Sequence, residues 1–170
     1  RVDRRQRQMC IRDSNYSTDL FTPILQAISE ITGTQDAEGE IGVAYRVIAD
    51  HLRSLSFAIA DGAIPSNEGR GYVLRRMLRR ATRFGRVLGM ETPFIHKLVP
   101  TLAEVMGDAF PEIRQQQAHI SRVIESEEAS FGNTLDRGLE IFEQMVAQPL
   151  TISQKKLSSE DAFKLYDTYG

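Results

Sequence analysis

The stretch Arg70-Gly71-Tyr72-Val73-Leu74-Arg75-Arg76-Met77-Leu78-Arg79-Arg80-Ala81-Thr82-Arg83-Phe84-Gly85-Arg86-Val87-Leu88 decides the fold. Laid out at about 100° per residue, it puts Val73, Leu74, Met77, Leu78, Ala81, Phe84 and Leu88 on one arc. Arg75, Arg76, Arg79, Arg80, Arg83 and Arg86 take the other. The pattern predicts an amphipathic helix over residues 68–88, with Ser66 or Asn67 as its cap and Glu68 beside the positive helix end. Like charges three or four residues apart cost a few tenths of a kcal/mol per pair, so six arginines without an acid need counter-charges from elsewhere. RNA phosphates match guanidinium forks and release counterions on binding. Glutamates on neighbouring helices, for which residues 125–143 are the obvious source, serve equally well, and some arginines are expected to do each job.

Working outward, residues 41–60 place Ala44, Ile48, Leu52, Leu55 and Ile59 on one stripe, with Arg46, Asp50 and Arg53 opposite. Asp61-Gly62 stops that helix and Pro65 keeps the connection short. Before it, helical spacing of Leu20, Ile24, Leu25, Ile28 and Ile31 predicts a helix from Thr18, with Pro23 in its first turn and a polar loop at 33–39. After it come a helix near 93–106 and a long helical segment at 111–147, in which Gly132 and Gly138 are weak points. Residues 148–158, with Pro149, form a polar connector, and 159–170 is a well-patterned segment that stops abruptly, as a truncation would. No strand-like alternation or internal repeat occurs, so the expected fold is all-α and bundle-like.

With 170 residues, 41% of them hydrophobic, the chain can build one ordinary core. The net charge of −2 hides a polarised distribution: residues 70–86 hold seven arginines and no acid, whereas 112–145 hold seven acids against three arginines. The first fourteen residues carry five arginines and two aspartates with little periodicity. The run around Met9-Cys10-Ile11-Arg12-Asp13 resembles translated adapter sequence, so residues 1–14 are expected to be non-native or a disordered basic tail. Their removal leaves about −5 on the rest. Cys10 is the single cysteine, and His51, His96 and His119 are scattered, which predicts no metal site. No run nears the roughly 18 apolar residues of a membrane span, so a cytoplasmic protein is expected, an organelle remaining open.

Glu68-Gly69-Arg70-Gly71 is not a phosphate loop, because no strand precedes it and neither glycine-rich pattern is complete. Asp50-His51 suggests acid/base work, but such a helical pair is more often a structural hydrogen bond. No nucleophile, base and orienting group can be assembled, so neither catalytic nor cofactor-binding residues are expected in this segment.

Tyr45-Arg46-Val47-Ile48-Ala49-Asp50-His51-Leu52-Arg53, Phe57-Ala58-Ile59-Ala60-Asp61-Gly62 and Pro65-Ser66-Asn67-Glu68-Gly69-Arg70-Gly71-Tyr72-Val73-Leu74-Arg75-Arg76-Met77-Leu78-Arg79-Arg80-Ala81 resemble the alanyl-tRNA synthetase family. Asn15-Tyr16-Ser17-Thr18-Asp19-Leu20-Phe21-Thr22-Pro23-Ile24 and Leu165-Tyr166-Asp167-Thr168-Tyr169-Gly170 are similar to the same family in the same order, so the resemblance covers residues 15–170.

The resemblance implies a fragment of a larger multidomain enzyme that activates alanine with ATP and Mg and passes it to tRNA(Ala). It places residues 15–147 in the helical tRNA-recognition domain and 159–170 at the start of the next part of that region. The catalytic core is then expected upstream and the editing domain, with its zinc, downstream; both would be partners of this segment within the same chain. The family also implies that Asn67 and Asp167 read the G·U pair of the acceptor stem. An amide can donate and accept, a carboxylate accepts from the guanine amino group, and the shallow A-form minor groove is open to both. Arg70, Arg75, Arg76, Arg79 and Arg80 would hold the RNA backbone or neighbouring helices. Without the resemblance, Asn67 reads as a helix cap and Asp167 as a turn or cap residue. The contrasting reading is a stand-alone helical module that binds RNA or protein and has no enzymatic parent.

Overall fold

The computed structural model describes residues 14–147 and 158–169, without the side chains of Lys164 and residues 166–169. Among these residues every regular element is helical, as expected. The helices are α1 (Thr22–Thr32), α2 (Glu40–Ala60), α3 (Gly69–Val87), α4 (Val99–Met106), α5 (Pro111–Gln115), α6 (Gln117–Val146) and α7 (Ser159–Tyr169), with 3₁₀ turns at Asn15–Ser17 and Ile95–Leu98. Residues 1–13 and 148–157 lie outside the described set, and so do the readings of the N-terminal segment and the connector that fall on them. The described residues divide into two compact units, one running up to Glu128 and the other starting at Ala129.

The first unit is built around a helical hairpin of α2 and α3, its most extensive helix–helix contact. Ala44, Ile48, Leu52, Leu55 and Ile59 are fully buried along α2, on the stripe the sequence predicts. Removing each large aliphatic side chain from water contributes roughly 1.5–3 kcal/mol. Tyr45 is buried with them, and its hydroxyl donates to the Thr34 carbonyl at 2.8 Å, which ties the 33–39 loop to the core. Ile24 and Ile28 of α1, Phe94, Ile95, Leu98, α4, Ile113 of α5, and Ile120 and Ile124 of α6 complete one continuous core.

Several boundaries differ from the sequence reading. Helix α1 starts at Thr22 rather than Thr18, because residues 15–17 form a 3₁₀ turn first; Pro23 does stand in its first turn. The segment expected as one helix over 93–106 is a 3₁₀ turn followed by α4, and Pro100, which has no N–H to continue a preceding ladder, sits at the start of the second piece. Residues 111–147 break at Gln116, whose side-chain amide donates to the Ala60 carbonyl at 2.9 Å and so satisfies an end of α2. Beyond it α6 runs through Gly132 and Gly138.

Helix α3 is rotated from the face that the apolar arc suggests. Leu74, Leu78, Ala81, Thr82 and Gly85 face the core, while Val73 is 56% exposed and Met77 and Phe84 are half-buried. Small residues select this face. A Cβ on Gly85 would stand 2.5 Å from the ring of buried Phe94, and the Thr82 hydroxyl is satisfied by the Leu78 carbonyl at 3.0 Å. Hydrophobicity alone does not register residues that matter because they are small.

In the second unit, α7 opens with a reciprocal cap: the Ser158 hydroxyl accepts from the Asp161 N–H at 3.0 Å and donates to the Asp161 carboxylate at 2.8 Å. Glu160 and Asp161 complement the positive end of that helix.

Candidate nucleic-acid interface

Asn67 lies exposed on the loop 61–68 that connects α2 to α3. It does not cap the helix. The cap position belongs to Glu68, without a side-chain bond, while Ser66 Oγ donates to the Glu68 carbonyl at 3.0 Å. The loop is folded back on the first turn of α3 by a bond from the Ser66 N–H to the Gly71 carbonyl at 3.1 Å. A Cβ on Gly71 would collide with Ser66 Oγ and the Ile64 carbonyl oxygen, so the close approach requires glycine there.

The side chain of Asn67 reaches Arg75, whose Nη1 donates to Asn67 Oδ1. The same guanidinium donates from Nε to Glu127 Oε1 at 2.6 Å, and Arg79 Nε stands 3.9 Å from that oxygen. Both arginines and Glu127 are largely covered, with side-chain exposures of 23%, 26% and 17%. Burial, and then the neighbouring Arg75, lower the pKa of Arg79, opposed by Glu127 and Tyr72. Glu127 lies in the acidic segment that the sequence offers as a source of counter-charge.

The arginines of α3 therefore separate into two rows. Arg75, Arg79 and Arg86 are half-buried, while Arg76, Arg80 and Arg83, spaced four and three residues apart, are exposed. The Arg76 guanidinium lies over the Tyr72 ring, 5.8 Å from its centroid, and that of Arg80 lies 6.0 Å from the centroid of Phe84, cation–π contacts that leave both arginines exposed. Arg70 is exposed in the first turn. Beside the Asn67 loop an open cleft of about 400 Å³ is lined by Ile64, Pro65, His119, Arg122 and Glu127, among others.

Of the residues picked out from sequence, Asn67, Arg70, Arg75, Arg76, Arg79 and Arg80 thus belong to one loop–helix corner of the first unit. Asp167 is in α7 of the second unit, and its side chain is not among those described. The Asp50-His51 hydrogen bond is absent: Asp50 pairs with Arg53 at 2.7 Å, because neighbouring helical residues point about 100° apart. His51 Nδ1 is buried without a partner among the described residues, and its pKa is lowered by burial and by Arg80, against Asp50.

Sequence reasoning missed Glu128. It is 2% exposed and accepts from the backbone N–H groups of Phe94 and Ile95, each at 3.1 Å, at the start of the 3₁₀ turn. Burial outweighs these bonds and pushes the carboxyl up to about 7. The signal was a break in period, since Ile120 and Ile124 lead at helical spacing to Glu128.

A family model for class II (A) tRNA synthetases matches residues 2–170. The chain belongs to that family. Its curated relatives include alanine–tRNA ligases from Chlorobium luteolum, 54% identical over 160 residues, and Streptococcus sanguinis, 50% identical over 158. That of Halalkalibacterium halodurans is 46% identical over 158 residues. Each comparison covers 92% of this chain and 18% of the relative, so the chain spans about a fifth of those proteins. The resemblance noted in the motifs is to the same ligases.

Among the described residues no helix is long and apolar enough to cross a membrane, and no three His, Cys, Asp or Glu side chains cluster to hold a metal ion.

Proposed function

We propose that this chain is the acceptor-stem-recognising helical part of an alanine–tRNA ligase, whose whole activates alanine with ATP and transfers it to tRNA(Ala). The observation that carries this reading is Asn67: an exposed amide on a braced loop, next to a helix whose exposed arginines present a row of positive charge. Asn67 reads the G·U pair from the minor groove. Asp167 contributes a carboxylate for the guanine amino group. Arg70, Arg76 and Arg80 hold the phosphate backbone and set affinity without specifying sequence.

The described residues offer no donor set for a metal and no phosphate loop, so no chemical step is assigned to them. ATP, Mg and the editing zinc belong, in this proposal, to the rest of the protein. The segment itself neither activates alanine nor hydrolyses mischarged tRNA, and the protein works in the cytoplasm.

The test is binding of the 170-residue chain to an acceptor-stem hairpin of tRNA(Ala) and to a twin with G·U replaced by G·C, at one stated salt concentration. Tighter binding of the G·U hairpin, lost in Asn67→Ala, is expected. Equal, weak binding of both hairpins by the unaltered chain would reduce the arginine row to an electrostatic or structural surface and end the recognition reading.

A further inference from the structure

We propose that Arg75 is a positioning residue that occupies the Asn67 carbonyl oxygen and turns the Asn67 NH₂ outward, so that Asn67 reads an acceptor atom of the base pair as a hydrogen-bond donor. The inference rests on the assignment of Asn67 to base-pair recognition and specifies how it operates.

A free asparagine is ambiguous. Its amide presents a carbonyl on one side and an NH₂ on the other, and rotation by 180° exchanges them. Arginine removes the ambiguity, because a guanidinium has five donors and no acceptor. The Asn67 atom that meets Arg75 Nη1 is therefore the carbonyl oxygen, and the NH₂ is turned away from it. Among the described residues nothing else takes those two donors. What faces outward can pair with a base O2 or N3 or with a ribose oxygen, while the exocyclic amino group of guanine is left to a carboxylate.

Arg75 can hold this orientation because it is itself held. Its Nε is anchored to Glu127 Oε1 at 2.6 Å, so the planar fork is fixed from the side opposite Asn67. Glu127 belongs to α6 and Arg75 to α3, and the loop carrying Asn67 is pinned by the Ser66–Gly71 contact. A residue held in this way by two protein partners, with its side chain only 23% exposed, is poorly placed to take a phosphate. This sets Arg75 apart from Arg76 and Arg80, which are exposed.

Positioning and charge are separated by Arg75→Lys, which keeps the positive charge but loses the fork. Four forms of the chain would be compared on the G·U and G·C hairpins over a salt series: unaltered, Asn67→Ala, Arg75→Lys and the double variant. Helical circular dichroism would report on folding. The expected result is that Arg75→Lys lowers the G·U preference as far as Asn67→Ala does, by on the order of tenfold for a misread pair, and leaves the salt slope unchanged. The double variant should lose nothing further, because both substitutions remove the same contact.

If Asn67→Ala abolishes the preference and Arg75→Lys does not, the positioning role is overturned while the recognition reading stands. If Asn67→Ala leaves the preference intact, both fall. Should Arg75→Lys unfold, Glu127→Gln releases the anchor without touching Asn67; a partial loss of preference supports the proposal and an unchanged preference overturns it.

Discussion

Replacing Glu128 by glutamine isolates the cost of ionising a buried carboxyl held against the Phe94 and Ile95 N–H groups. The pKa rises from 4.5 to about 7, chiefly because burial disfavours the charge, with the Phe94 and Ile95 N–H groups pulling the other way. The shift corresponds to about 3 kcal/mol at roughly 1.4 kcal/mol per pH unit. Between these two values the folded state holds a proton that the unfolded chain has released. Stability from this group is therefore complete below about 4.5 and is lost as pH rises through 7. Glutamine does not titrate.

Urea denaturation followed by circular dichroism, at half-unit steps from pH 5 to pH 8, gives the stability difference between Glu128→Gln and the unaltered chain. Taking the difference cancels every carboxylate the two proteins share. At pH 5 glutamine should cost on the order of 1 kcal/mol, because its NH₂ faces a backbone N–H that the acid accepted. By pH 8 that deficit should shrink by about 2.5 kcal/mol and reverse in sign. A deficit that stays constant across the range would refute the reasoning, for it would mean that Glu128 titrates alike in the folded and unfolded chain.

Two further substitutions probe the packing of the first unit. Gly85→Ala should lower stability by about 1–3 kcal/mol despite the better helix propensity of alanine, because the new methyl meets the Phe94 ring 2.5 Å away; thermal unfolding checks it. Tyr45→Phe should cost about 1 kcal/mol by the same measurement, since the Thr34 carbonyl loses its donor, and backbone hydrogen exchange in the 33–39 loop should quicken.

The helices were legible where one periodic apolar stripe carries a whole element. The stripe of α2, from Ala44 to Ile59, is the case in point, because pattern and burial there obey the same period. The exposed Val73 shows where that reasoning ends: α3 meets the core through Gly85 and Thr82, and a hydrophobic wheel does not weigh a residue chosen for its small volume. The breaks near Leu98 and Gln116 were invisible for a related reason. Pro100 and a glutamine amide aimed at Ala60 act through individual hydrogen bonds, not through periodicity.

The candidate site was legible by residue type and motif, and the division of labour within it was not. A helical wheel places Arg75 and Arg76 on the same polar side. Only the structure shows Arg75 turned to Glu127 of α6 and Arg76 lying over Tyr72 within α3. Glu127 itself sits fifty-two positions away in sequence, beyond any local pattern.

The missing side chain at Gly71 has a consequence for timing. Because the loop is latched to α3 in the unbound chain, the base-pair reading proposed for Asn67 would leave little chain entropy to be lost on binding. A preorganised reader offers the same surface to right and wrong stems, so both are met at similar rates. Discrimination then appears in how long each stem stays, as a difference in residence time.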